Sequence, residues 1–206
     1  MPSYIESEGE LDQLIPIYRP HPDVPDKQLD FVDGHARAFI ATSPLVMLAS
    51  TDGEGFLDVS PRGDPPGFVQ VLDEHRLLIP DRKGNHRLDT LRNVLSTGRL
   101  GCLFLVPGRE DTLRVNGGAR LTADHDLLAL CTVQGKVPVA AIVLEVEELY
   151  FHCARSLLRG GAWKPETWPD TSGLASLGRV VKDQMALPYS AEAIDDDLAQ
   201  VNCDLY

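Results

Sequence analysis

Basic residues are scarce in this chain. Its 206 residues hold 19 Lys and Arg against 31 Asp and Glu, a formal net charge of −12. That balance argues against a nucleic-acid partner, because neutralising phosphates needs a basic face. It argues equally against adhesion to an anionic membrane surface. Long apolar runs are missing too: no stretch approaches the ~20 residues a transmembrane helix requires. The opening, MPSYIESEGELDQL, is acidic and lacks a basic segment followed by an apolar one. No secretory signal is expected from it, and the expected location is cytoplasmic. Cysteine is sparse. Cys102, Cys131, Cys153 and Cys203 form no CxxC pair, and only Cys153 adjoins a histidine, His152. Neighbouring strand residues point to opposite faces, so that pair makes a poor metal site. Reduced, mostly buried thiols and no metal are the expectation. Also absent are a Ser/His/Asp order, a nucleophile elbow and a GxGxxG after a strand, so no catalytic acid, base or nucleophile is assigned. There is no internal repeat and no low-complexity linker.

What is present is ordinary globular material, 43% hydrophobic and 24% charged. The length suits one domain and buries a core without staples. Residues 1–25 read as an arm, with a short helical pattern around 10–15 and then the rigid YRPHPDVP. Residues 26–170 read as the main domain, and 171–206 as a helical extension of it. Leu29, Val32, Ala36, Phe39 and Ile40 recur at helical spacing, which predicts a helix over 26–41 ended by Ser43-Pro44. His35 is an ordinary helical histidine. Strands follow at 45–51 and 56–60 around the turn 52–55, then at 68–72 and 76–79 around 73–75. A helix is predicted over 87–96, with Leu88, Leu91, Val94 and Leu95 on its buried face and Gly98 ending it. Further strands are predicted at 99–106, which should be central, and at 112–122, where Gly117-Gly118 marks a bulge or close backbone approach. The last is at 139–153, with Ile142, Leu144 and Val146 on one face and Val143, Glu145 and Glu147 on the other. Short helices are predicted at 124–131, 154–160 and 174–187. Asp195, Asp196 and Asp197 read as a solvated acidic patch or a helix start. Short strands with helices among and after them indicate a mainly β, α+β fold: a small β-barrel with N- and C-terminal helical additions.

The rest is arranged around residues 59–93, VSPRGDPPGFVQVLDEHRLLIPDRKGNHRLDTLRN. SPRGDPPG reads as a polar turn between apolar runs. IPDRKGNHR reads as a strand running into a basic, glycine-containing loop and then a helix. Such a loop suits a phosphate group: the unpaired N–H groups of a helix start and its dipole favour an anion. Arg82, Lys83 and Arg87 would add charge-assisted hydrogen bonds, and Asn85 would cap the helix or bond the ligand. The plain alternative is a set of solvated charges on a turn. For Arg62 the alternative is a pairing with Asp64 or Asp58, and for Arg114 a barrel-face charge.

SPRGD, PDRKGN and TLRVNG, in this order and followed by LYFHCARSLLRGGAW, resemble the pyridoxamine 5′-phosphate oxidase-related family of FMN-binding split barrels, over residues 31–168. The resemblance implies FMN as cofactor. It implies a phosphate loop at Arg82, Lys83, Asn85 and Arg87, and a strand end beside the flavin ring at Arg62 and Gly63, where Arg62 acts on the ring and not on the phosphate. It further implies a flavin-binding strand at Arg114 and Asn116, and an aromatic contact near the ring edge at Trp163, which as a plain reading is a core or interface anchor. A homodimer with the flavin at the subunit interface is implied as well. The substrate-phosphate residues of true pyridoxamine phosphate oxidases have no counterpart here. The implied function is an FMN-dependent oxidoreductase acting on an unidentified small molecule. The alternative is a flavin carrier or sensor, or a split barrel binding another cofactor such as haem or a deazaflavin.

Overall fold

The computed structural model describes residues 4–14, 27–84, 87–153 and 155–203. Its body is built from β1 Leu45–Thr51, β2 Leu57–Gly63, β3 Gln70–Val71, β4 Arg76–Asp81, β5 Arg99–Leu105, β6 Thr112–Thr122 and β7 Ala140–His152. They form one seven-stranded antiparallel sheet in the order β2-β1-β5-β6-β7-β4-β3. β5 is an interior strand, but β6 holds the middle place. The helices are α1 Glu8–Asp12, α2 Gly34–Thr42, α3 Asp89–Thr97, α4 His125–Ala129, α5 Arg155–Arg159, α6 Leu177–Met185 and α7 Ala191–Asn202. This is the expected α+β split-barrel architecture.

Strand register follows from burial. On β7, Ile142, Leu144 and Val146 are buried while Glu145 and Glu147 face solvent. A slip of one residue would exchange those faces, so the register is strongly specified. Phe104, Leu48, Leu77, Ile79 and Leu113 join Ile142 and Leu144 in the core, and Ile40 of α2 closes it. A smaller cluster of Leu78, Leu128, Cys131 and Ala141 sits beneath α4. The expected irregularity at Gly117 is a register shift between Asn116 and Gly117 in the β6–β7 ladder.

Several boundaries differ from the sequence expectation, each for a local reason. The helix expected over 26–41 begins only at Gly34, because the Asp33 carboxylate accepts from Ala36 N at 2.8 Å and caps it there. Leu29 instead bridges Leu149 in extended form, and Val32 N donates to Glu74 O. Residues 60–63 are not a turn. They are the second half of β2, paired with β1 in the register Met47↔Pro61. β2 is the outer strand of the sheet, where proline costs no ladder bond. In α3 the buried face holds Thr90 and Asn93 with Val94, whereas Leu88 and Leu95 are 47% and 73% exposed. The buried polar groups are satisfied: Asn93 Nδ2 donates to Ser50 Oγ at 3.0 Å, and Thr90 Oγ1 donates to Asp58 Oδ2 at 2.7 Å. Gly98 ends α3 in the left-handed region, as expected. Asp195, Asp196 and Asp197 lie inside α7, where Asp195 accepts from Gly178 N at 2.7 Å and holds the start of α6 against α7. All four cysteines are free thiols, Cys102 and Cys131 buried but Cys153 and Cys203 exposed. Burial pushes the Cys102 thiol well above its ordinary range, which makes it inert.

Candidate functional site

The alternation along β2 is inverted. Leu57, Val59 and Pro61 face outward, and Asp58, Ser60 and Arg62 take the half-buried side. A polar inward face suits a wall around a polar ligand, and β2 does line a cavity of about 820 Å³. The other walls are Pro80 and Asp81 at the end of β4, the loop that follows with the start of α3, and residues 136–139 before β7. Two ion pairs hold β2 to β4 across it. Arg62 approaches Asp81 at 3.7 Å, and Arg82 Nε donates to Asp64 Oδ2 at 2.6 Å. The two strands are not hydrogen-bonded neighbours, so the barrel wall stays open between them, and the cavity fills the gap.

The electrostatics are concentrated. Arg62, Arg82, Lys83, Arg87 and Lys136 line the cavity against Asp58, Asp81 and Asp89, in a chain of net charge −12. Arg62 pairs with neither Asp58 nor Asp64. Its Nη2 donates to Thr90 Oγ1 at 3.4 Å, and Thr90 donates onward to Asp58, whose carboxylate also accepts from Ser60 Oγ at 3.0 Å. Burial raises the Asp81 carboxyl above the ordinary range, and the nearby Arg62 guanidinium offsets part of that. Arg82 is committed to the protein on two sides, because its Nη2 also donates to Cys131 O at 2.7 Å. Arg87 is an exposed cation whose Nε donates to Asp89 Oδ2 at 2.7 Å, which raises its affinity for its proton. A Cβ on Gly63 would meet Pro44 O at 3.5 Å, an ordinary contact. The fold itself therefore does not demand a glycine there.

Arg62, Gly63, Arg82, Lys83 and Arg87 are thus brought together, while three expected residues are not. Arg114 is exposed on β6 between Leu103 and Tyr150. Asn116 Nδ2 donates to the Glu148 carboxylate. Trp163 Nε1 donates to Arg109 O at 2.7 Å and ties the segment after α5 to the turn after β5. None of them lines this cavity. Asn85 lies outside the described residues. Sequence reasoning missed Asp58, Asp81, Thr90 and Lys136. For Asp58 the signal was there, because Asp58, Ser60 and Arg62 share one strand face once β2 runs to Gly63. A second cavity of about 480 Å³ lies under α2, against His35, Phe39, Val106 and Phe151. Its one cation, Arg109, closes on Asp111 through two bonds of 2.9 and 2.8 Å. Among the described residues no group of three or more His, Cys, Asp or Glu could hold a metal ion. Among them, too, no helix is long and apolar enough to cross a membrane.

This geometry has known relatives. No curated protein matches the chain. Among solved structures, the HupZ protein of Group A Streptococcus shares 16% identity at a TM-score of 0.50, over 60% of this chain and 95% of that one. A Lactobacillus delbrueckii protein, LDB0262, shares 23% identity at a TM-score of 0.46, over 60% and 98%. The Vibrio cholerae heme storage protein HutZ shares 12% identity at 0.40, over 59% and 94%. The HupZ likeness bears on the fold alone. Residues 32–153, more than half of the chain, match the family described as pyridoxamine 5′-phosphate oxidase, and the chain belongs to that family.

Proposed function

We propose that the cavity between β2 and the loop after β4 binds FMN, and that the protein is an FMN-dependent oxidoreductase acting on a small organic molecule. One observation carries this reading: five cationic side chains converge on a single cavity in a strongly acidic chain. A phosphate dianion is the ligand such a lining suits, through charge-assisted hydrogen bonds. The volume lies in the upper part of the ~300–1,000 Å³ range of ligand cavities, with room for a small substrate beside a cofactor. The lining also supplies apolar surface for a ring system, from Val59, Leu88, Val137 and Val139.

Within this reading Lys83 and Arg87 hold the phosphate, and Arg62 serves the ring. The Asp58–Thr90 pair fixes one side of Arg62 and Asp81 the other, so the guanidinium reaches the ligand already oriented. Bound there, a flavin supplies the hydride or electron transfer. The chain's own residues bind it, orient it and exclude water. Arg114, Asn116 and Trp163 are assigned to the cavity of a partner subunit. Family members are typically dimeric, and a homodimer would bring those residues to a site they do not reach within one protomer.

The visible spectrum of the purified protein, with the mass of the released cofactor, tests the reading. A yellow protein, or one that turns yellow with FMN and binds it more tightly than riboflavin, is expected. A haem spectrum, or indifference to both flavins, overturns it. Turnover of the bound flavin with NAD(P)H or oxygen distinguishes an enzyme from a carrier.

A further inference from the structure

We infer that Lys136 is a phosphate-binding residue of this cavity, and that Arg82 acts only through it, as the residue that positions the Lys136 hairpin. This rests on the FMN reading above. Residues 133–136 form a two-residue hairpin: Val133 N donates to Lys136 O at 3.2 Å and Lys136 N to Val133 O at 2.9 Å. Its central residues, Gln134 with φ 51° and Gly135 with φ 76°, are both left-handed. That is the tight turn whose twist matches the strands it joins. A glutamine seldom takes that conformation, and a strained turn of this kind persists only where its surroundings fix it.

The turn delivers its exit to the cavity. Lys136, Val137, Pro138 and Val139 all line it. The next residue, Ala140, pairs with Asp81, so the hairpin stands beside the loop that leaves β4 at Arg82. Lys136 therefore reaches the same loop as Lys83, from an element remote in sequence.

Arg82 accounts for how the hairpin is held. Its fork spans three segments. Asp64, 1% exposed, takes Nε at 2.6 Å. Cys131 O, two residues before the hairpin, takes Nη2 at 2.7 Å. The Arg82 side chain itself is only 14% exposed. A planar guanidinium committed in two directions is a poor clamp for a third ligand, whereas an ammonium on a flexible stem is a point charge that adapts to a phosphate. Arg82 thus ties the end of β2 and the post-β4 loop to the segment that carries Lys136.

Equilibrium titration of the full chain with FMN and with riboflavin tests this at fixed salt. Lys136→Gln should weaken FMN binding about tenfold or more, the loss of one hydrogen bond to a charged group. Riboflavin affinity should stay within about twofold, with the melting temperature unchanged. Equal weakening of both flavins, or no change in their ratio, overturns the assignment. Arg82→Lys in the Lys136→Gln background should alter the FMN-to-riboflavin ratio no further. A further fall there shows Arg82 contacting phosphate directly and overturns its positioning role. If Arg82→Lys does not fold, Asp64→Asn replaces it, loosening Arg82 without touching the cavity lining: an FMN-to-riboflavin ratio still at the wild-type value overturns the positioning role. A wild type without preference for FMN fails the parent reading, and that is visible before any variant is made.

Discussion

Burial holds the Asp81 carboxyl of the cavity above its ordinary range, and its chemistry gives a pH signature. Burial disfavours its charged form, and Arg62 at 3.7 Å compensates only in part. The folded state therefore binds the proton more tightly than the unfolded chain does. The sign follows: this contribution to stability is fully present below the ordinary carboxylate value and is lost as pH rises through the raised one. Asp81→Asn removes the penalty. The variant should be more stable than wild type near neutrality, and the gap should close as pH falls through the carboxylate range. Denaturant midpoints of both proteins across that range measure it, and a gap independent of pH would mean that the carboxyl is not shifted. At this scale the sequence was half legible. Arg62, Arg82, Lys83 and Arg87 stand out because cations are rare in an acidic chain. Asp81, Thr90 and Lys136 do not, because the cavity gathers them from segments that no periodic pattern connects. The partners of Arg82 were also hidden, since nothing in SPRGD says that its aspartate reaches a loop 18 residues away.

Elements were more legible than side chains. β6 was readable to its ends, and the glycine pair inside it pointed to the bulge. The two glycines are unequal. A Cβ on Gly117 would collide with the carbonyl oxygen of Glu145 and come within 3.1 Å of Glu147 N, all main chain that cannot step aside. On Gly118 the nearest atom would be Glu147 Oε1 at 3.4 Å, the far end of a flexible side chain. Gly117→Ala should cost about 3 kcal/mol or more, and Gly118→Ala less than about 1 kcal/mol, by chemical unfolding. Equal effects would show that the ladder does not close over Gly117 as described. Where element reading failed, it took tertiary spacing for local conformation. Leu29 and Val32 do face the same core as Ala36, Phe39 and Ile40, but in extended chain, because the Asp33 cap starts the helix later. The reading of SPRGDPPG as a turn holds for its second half, where residues 65–67 do turn, and fails over 60–63 because Pro61 lies on an outer strand, which tolerates it.

At the scale of the whole molecule, one edge of the sheet carries side chains that a single copy leaves uncovered. β2 is an outer strand whose outward side chains are apolar, with Leu57 84% and Val59 68% exposed. An uncovered apolar edge is a liability that lone domains avoid with charge or a covering segment. Val59 also lines the cavity, together with Leu88, Val137 and Val139. A second copy laid over this rim would bury the edge and close the cavity in one step. It would also give Arg114, Asn116 and Trp163 a site to serve. Two chains of net charge −12 repel each other at long range, so a dimer of this kind would have to be held by apolar contact at short range. Leu57→Glu, on the same exposed edge but outside the cavity lining, adds one more negative charge to that contact and leaves Arg62, Lys83 and Lys136 in place. Sedimentation should show a wild-type dimer and a monomeric variant. FMN affinity should fall at least tenfold with dissociation, although every cation of the protomer's own cavity remains. A wild-type monomer that binds FMN tightly would refute the shared site, and a monomeric variant with undiminished FMN affinity would confine the cofactor to one subunit.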